Sequence, residues 1–420
     1  MIRLKRCPRA LLIALLIGAS VFLLTRCMHK AGDAAAQNDF SQFAGSEACM
    51  NCHRGIHDDF IHTAHHLTSA LAGENSIKGS FAPGHNSYPY DLVRTVSMEK
   101  RDSGLYQVLY VNSIEKTARR FDITIGSGTR GQTFLSWAGN SLNQLPVSYF
   151  TPTDNWANSP GYLPHKIEFN RIISSRCLEC HSTYANRISD ADAVPEKFNP
   201  SQILYGVECE KCHGPGAKHV AFQTENPKAT KAEYILNPGS MSRQQSLDLC
   251  ALCHGGRLDQ SKPSFQFAAG DRLSDYFKTD TNRPDPDKID VHGNQYGLLR
   301  SSRCFRISGT MTCVTCHDPH KNQRGQLALF SERCMTCHNR EHNNFCKMGG
   351  ALGSRIVQNC IDCHMPKKPS QLIAVLLSGN KNPTAATIRS HFISIYPEQT
   401  KRFLKERKIS GKKNPTAMVN

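Results

Sequence analysis

Acidic side chains, tryptophan and long apolar runs are all scarce in this sequence. Asp and Glu number 35 against 51 Lys and Arg, a formal charge of +16 over 420 residues. Two tryptophans and an aromatic share of 8 % leave little material for a conventional core. With glycine counted and tyrosine left out, the apolar share is about 43 %, under the globular average of roughly 45–50 %. A chain of this length divides into two or three domains on the usual prior, so one buried core is not expected. The one long apolar run, Ala10–Leu24, falls short of the roughly 20 residues that cross a membrane. Arg3, Lys5, Arg6 and Arg9 precede it and Arg26 and Lys30 follow, the layout of an export signal. Residues 1–36 therefore read as a cleaved signal peptide, an uncleaved membrane anchor, or a lipid-attachment leader ending at Cys27, where Arg26 replaces the usual small residue. All three readings put the folded part outside the cytoplasm, in the periplasm or beyond. The positive charge invites an anionic partner, but no nucleic-acid motif accompanies it, which excludes nucleic acid.

Cysteine and histidine, in contrast, are plentiful and ordered. Cys-x-x-Cys-His occurs seven times: Cys49, Cys52 and His53; Cys177, Cys180 and His181; Cys209, Cys212 and His213; Cys250, Cys253 and His254; Cys313, Cys316 and His317; Cys334, Cys337 and His338; Cys360, Cys363 and His364. Numbered 1 to 7 in chain order, these motifs use 14 of the 18 cysteines. A structural zinc site takes two thiol pairs and closes four ligands; here the pairs are odd in number and each carries its own His. A thioredoxin-like site needs one pair on a βαβ unit. Covalent haem attachment remains: both thiols add to the haem vinyl groups and the adjacent His becomes the proximal iron ligand. The cofactor expectation is seven covalently bound haems c. The porphyrins then supply apolar interior that the side chains lack, and their propionates neutralise part of the Lys and Arg excess.

Between motifs 1 and 2 the texture changes. From Tyr88 to Trp156 short alternating runs such as "LYQVLYVNS" and "RRFDITIGS" are punctuated by "DSG" and "GSGTRG", the pattern of antiparallel strands. The motif-bearing stretches read as short helices and loops. The expected fold is a mainly α and irregular multihaem cytochrome c with a small antiparallel β insertion between haems 1 and 2. Its parts would be the leader 1–36, a first haem-binding helical segment 37–80, a β-rich insertion 81–165, a six-haem region 166–380, and a C-terminal segment with a basic tail 381–420.

Seven irons with a second imidazole each would draw on the eleven histidines outside the motifs and the leader. His57 and His320 follow a proximal His by four and three residues, so each could serve only a neighbouring haem. His62, His65 and His66 share one helical face, and one of them suffices. Met365, directly after His364, cannot reach the far side of that iron.

The stretches "GSEACMNCH" with "TAHH", "CLECHSTYA", "GVECEKCHGPGAKHV", "SSRCFRISGTMTCVTCHDPH" and "NCIDCHMP" resemble the cytochrome c-552/4 group of multihaem cytochromes, over residues 44 to 395. That group is similar to the tetrahaem cytochrome of ammonia oxidisers, and its haem packing resembles that of pentahaem nitrite reductase and hydroxylamine oxidoreductase. The resemblance implies distal ligands at His65, His219 and His320, with His292, His342, His391 and His165 as further candidates. Cys304 and Cys346 stand outside the motifs; in an oxidising compartment a disulfide between them is the expectation and a free buried thiol the other reading. The function expected is electron transfer along mostly bis-His haems, with other periplasmic or membrane redox proteins as partners. The rival is a reductase or oxidase of a small nitrogen or sulfur oxyanion at one open-site haem. No Cys-x-x-Cys-Lys, the mark of the catalytic haem in pentahaem nitrite reductases, occurs here. No catalytic residue is assigned, and the expectation leans to a carrier rather than an enzyme.

Overall fold

A computed structural model describes residues 39–190, 192–278, 285–341, 344–348 and 353–411. The leader with Cys27, His342 and the end of the basic tail lie outside the described residues. Contacts divide the chain into Met1–Asp39 and Phe40–Asn420, and every described helix and strand belongs to the second unit.

Three larger sheets and two hairpins make up its β structure. The first sheet runs Ser87–Pro89, Arg94–Arg101, Gly104–Val111, Ile114–Arg120 in chain order, all antiparallel. Val111 and Ile114 pair directly, and Asn112 and Ser113 between them both have positive φ (49° and 62°). Two such residues make the turn whose twist matches that of the strands. The second sheet is ordered Ser69–Leu71, Ile123–Ile125, Thr133–Ala138, Ser141–Gln144, Arg171–Ile172. The third takes Val147–Phe150 and Asn155–Asn158 from the same region and adds Lys367–Leu377 and Thr384–Arg389 from beyond motif 7. Separate hairpins are formed by Ser182–Arg187 with Phe198–Tyr205 and by Asp259–Gln260 with Phe277–Lys278.

An aromatic-rich apolar cluster lies within the first sheet's surroundings: Ile77, Tyr88, Val96, Met98, Leu105, Phe121, Phe134, Leu145, Val147, Tyr149 and Trp156. Trp156 is its hub, with the rings of Phe81, Phe121, Phe134 and Tyr149 within 5.8–6.3 Å of its own. Gly79 lies flat against the indole; a Cβ there would sit 2.2 Å from a Trp156 ring carbon, so no larger residue fits. Gln107, a fully buried amide in this layer, is satisfied by both the N–H and the C=O of Val147.

The expected mainly α and irregular fold is therefore corrected: the chain is mixed α/β, with five sheets. Strands are not confined to the stretch between motifs 1 and 2. They were illegible where the alternation is short ("STYANR") or where a proline interrupts the run, as Pro369 does in "KKPSQLIAVLL". Strand Lys367–Leu377 is paired at both ends: Lys367–Pro369 and Ala374–Val375 meet Thr384–Arg389, and Leu376–Leu377 meet Ala157–Asn158.

Candidate haem centre

Each motif is built on about one helical turn. Helices Ser175–His181, Cys209–His213, Arg243–His254 and Ile361–His364 all end on the motif histidine. Residues at i, i+3 and i+4 of a helix are neighbours on its surface, so this geometry turns both thiols and the imidazole of one motif to the same side. In helix Ser46–Phe60 the motif lies inside, and the helix kinks at His53 (φ −110°, ψ 36°). A capping box of Ser242 and Gln245 starts helix Arg243–His254.

A haem iron needs a neutral imidazole with one nitrogen free, and hydrogen-bond acceptors at the other ring nitrogen supply that condition. His213 Nδ1 donates to Leu236 O (3.0 Å), His364 Nδ1 to Ser394 O (2.8 Å) and His338 Nδ1 to Asn344 O (3.4 Å). A carbonyl oxygen can only accept, so Nδ1 carries the proton and Nε2 keeps its lone pair. His181 and His254 have side-chain partners at the same nitrogen, Thr68 Oγ1 (3.1 Å) and Gln295 Oε1 (3.2 Å). Burial pushes the pKa values of His65, His181 and His391 down to about 4, which holds these rings neutral.

Three histidines outside the motifs stand opposite motif histidines, their ring planes inclined by 29–58°. His65 and His254 have ring centres 6.2 Å apart, His320 and His213 6.2 Å, and His391 and His317 6.0 Å. Two imidazoles bound end-on to one metal by bonds of about 2 Å put their ring centres about 6 Å apart, and the pairs have this spacing without touching. His320 thus faces the proximal His of motif 3, not that of its own motif 5. His292 lies in the loop held at motif 4 by Gly256 N–Gly293 O (2.7 Å), in the neighbourhood of His254 and His181. His219 donates from Nδ1 to Glu233 O (2.8 Å), the same pattern as the motif histidines. His165 lies exposed in a loop, where its backbone oxygen accepts from Arg94 (3.2 Å). His342 is outside the described residues. His57 is buried with Nδ1 lacking a hydrogen-bond partner, as is Nδ1 of His391.

Motifs approach one another through their thiols. Cys49 meets Cys209, Cys180 meets Cys253, Cys250 meets Cys313, and Cys334 meets Cys360. The pairs therefore join motifs 1 with 3, 2 with 4, 4 with 5 and 6 with 7. Among the described residues no three His, Cys, Asp or Glu side chains gather, so these pairs are not laid out as four-ligand zinc sites. Beside motif 1 a cavity of about 520 Å³ is lined by Cys52, His53, Arg54, Gly55, Ile56, Asp59, Asp318, His320 and Lys321.

Two residues that sequence reasoning missed hold motifs 1 and 3 together. The buried Glu210 carboxylate accepts from the backbone N–H of Ala44 (2.8 Å), Gly45 (2.9 Å) and Gly216 (2.7 Å). Glu208 accepts from Ser46 Oγ (2.5 Å) and pairs with His66 Nδ1 (2.7 Å). The signal was present as two acids interleaved in "GVECEKCH", in a chain short of acids. The expected Cys304–Cys346 bond is not formed; both are free thiols. Cys304 lies on helix Arg303–Ile307, where its electrostatic neighbours are the motif sulfurs Cys316, Cys334 and Cys337.

Thiol pairs and an imidazole on one helical side, Nδ1 acceptors, and facing imidazoles about one iron's width apart fit haem. The arrangement and the comparisons below support a multihaem c-type cytochrome, a class whose cofactor is covalently bound haem c. Within that class, the family described as Cytochrome c554 and c-prime matches residues 163–214, the stretch with motifs 2 and 3. The C-type polyheme cytochrome OmcC of Geobacter sulfurreducens is 22 % identical over 179 residues, covering 38 % of this chain and 22 % of that protein. The chain thus spans about a fifth of that curated relative's length. The crystal structure of the outer cell wall cytochrome OcwA has the same fold, with a TM-score of 0.52 at 17 % identity, covering 86 % of this chain and 81 % of that one.

Proposed function

We propose that the chain is an exported heptahaem cytochrome that moves single electrons along a relay of mostly bis-His haems. The observation that carries this reading is the set of three facing imidazole pairs at 6.0–6.2 Å. Haem supplies the one-electron iron couple. The chain's own residues hold, orient and shield it. The fourteen motif thiols anchor seven haems, and His53, His181, His213, His254, His317, His338 and His364 serve as proximal ligands. His65, His320 and His391 close the opposite faces of haems 4, 3 and 5, and His292 that of haem 2; His219 and His342 are candidates for the remainder. Closed faces exclude small ligands, which suits a carrier. Thiol contacts between motifs 1 and 3, 2 and 4, 4 and 5, and 6 and 7 bring attachment points together in groups, an arrangement that suits a relay.

Export follows from the leader and from the oxidising compartments in which haem c matures, and OcwA bears the name of a cell-wall cytochrome. Partners are other extracytoplasmic redox proteins, with membrane attachment left to residues 1–36. A second reading is favoured by the cavity at His53. Arg54 and Lys321 line it together with Asp59, Asp318 and His320, Lys321 is paired with Asp59 (3.3 Å), and His320 stands opposite His213 rather than His53. An open iron there, beside the Arg54 cation, would suit a small nitrogen or sulfur oxyanion.

Electron paramagnetic resonance of the oxidised protein, with carbon monoxide added to the reduced protein, separates the two. Low-spin signals throughout and no carbon monoxide shift support the carrier. One high-spin haem that binds carbon monoxide, with turnover of nitrite or hydroxylamine, supports the reductase.

A further inference from the structure

His292 sits in a loop, with no helix of its own to aim it. Asp290, two residues earlier, has its carboxylate fully engaged. Oδ1 accepts from the backbone N–H of His292 (2.8 Å) and from Ser370 Oγ (3.0 Å), and Oδ2 accepts from the backbone N–H of Gln371 (2.6 Å). Ser370 is itself buried, and its oxygen also accepts from the N–H groups of Leu372 and Ile373. One carboxylate therefore ties the His292 backbone to strand Lys367–Leu377, whose far end is paired with Asn155–Asn158 of the aromatic-cored sheets. On its other side the loop is held at motif 4: Gly256 N donates to Gly293 O (2.7 Å), and Gln295, the partner of His254 Nδ1, donates to Val291 O (3.2 Å). Val291 between the two anchors is buried.

We propose that Asp290 is the positioning residue for the distal imidazole of haem 2, fixing the His292 loop against strand Lys367–Leu377 so that the ring is presented toward the His181 side. Bonds to charged acceptors are the stronger ones, and this acceptor serves two chain segments remote in sequence. Loss of the carboxylate frees the loop at the anchor nearest His292 and leaves the Gly293 and Gln295 anchors in place. The loop then stays near motif 4 while His292 loses its aim. The inference rests on the bis-His reading of haem 2, and the experiment keeps the two apart.

Carbon monoxide competes with the distal imidazole for the ferrous iron, so the half-saturating concentration at haem 2 reports how well His292 binds. In the full-length holoprotein, with haem content checked to be unchanged, His292→Ala should give one high-spin, carbon-monoxide-binding haem. Asp290→Ala should lower half-saturation at that same haem by about 10–100-fold, the range for loss of an outer-shell partner. Asp290→Asn, which keeps one acceptor oxygen, should fall between Asp290→Ala and wild type. Ser370→Ala, which removes one of the three bonds, should give a smaller shift at the same haem and serves if Asp290→Ala does not accumulate. The double variant Asp290→Ala with His292→Ala should match His292→Ala alone, because a positioning effect vanishes with the ring it positions. If His292→Ala opens no haem, the ligation reading fails. If it opens one while Asp290→Ala and Ser370→Ala leave half-saturation unchanged, or the double variant opens a further haem, the positioning inference is overturned.

Discussion

The β region and the stretch carrying motifs 5 and 6 solve the problem of an interior in opposite ways. Around Trp156 eleven buried side chains, five of them aromatic, pack as an ordinary protein core. Between residues 306 and 355 the one described side chain that is fully buried is the hydroxyl of Ser331, which donates to Leu327 O (2.8 Å) and receives Cys360 N (2.9 Å). That stretch has the cysteines and histidines of two haem sites and almost no apolar interior of its own. The chain's thin supply of apolar residues is thus spent unevenly: the β region is self-sufficient, and the haem region relies on its cofactors as its core.

The most severe way to break this contrast is to withhold haem. In full-length chain produced without haem attachment, hydrogen exchange should leave amides of Arg94–Arg101, Gly104–Val111 and Thr133–Ala138 protected, while residues 303–341 exchange nearly freely. Uniform protection, or uniform loss, would erase the distinction.

Acid should separate the regions next, by several kcal/mol in sum. His65, His181 and His391 are held near 4 by burial, whereas an unfolded imidazole titrates near 6.5. The unfolded state therefore binds more protons below about pH 6.5, so stability of the haem region is present above that pH and falls as pH drops below it. The β region's own His85 and His165 are exposed and lack such burial, so the acid transition should begin in the haem region. Denaturant midpoints followed by Trp fluorescence for the β region and by the visible haem bands for the rest check this.

Phe134→Ala should sharpen the contrast from the other side. It removes a fully buried ring at the centre of the Trp156 cluster and should cost about 3–5 kcal/mol, read as an earlier fluorescence transition with an unaltered haem spectrum. The smallest effect is expected at His165: His165→Ala should leave every haem low-spin, whereas His391→Ala should open one.

Legibility in the sequence tracks the range of the interactions. Haem attachment was legible because its chemistry lies within five consecutive residues, whatever the fold. Distal histidines were legible only as candidates. The resemblance named His65, His320 and His391, but that His65 faces motif 4 and His320 faces motif 3 depends on tertiary contacts no spacing rule carries. Glu208 and Glu210 escaped notice because a carboxylate clamp on backbone N–H groups has no motif of its own. The C-terminal hairpin was missed because Pro369 and an unbroken apolar run "LIAVLL" hide the alternation of a strand in which only Ser370 and Val375 are buried. The Cys304–Cys346 expectation failed because compartment and cysteine parity say nothing about distance.

The central claim is that seven motifs hold seven haems and that these complete the interior. Its most direct test is the mass of the intact, fully matured chain under denaturing conditions, where thioether-bound haem stays with the polypeptide. The account predicts a single dominant species carrying seven haem increments above the polypeptide mass. A dominant species with fewer, in protein whose visible spectrum no longer changes with further maturation, would contradict it.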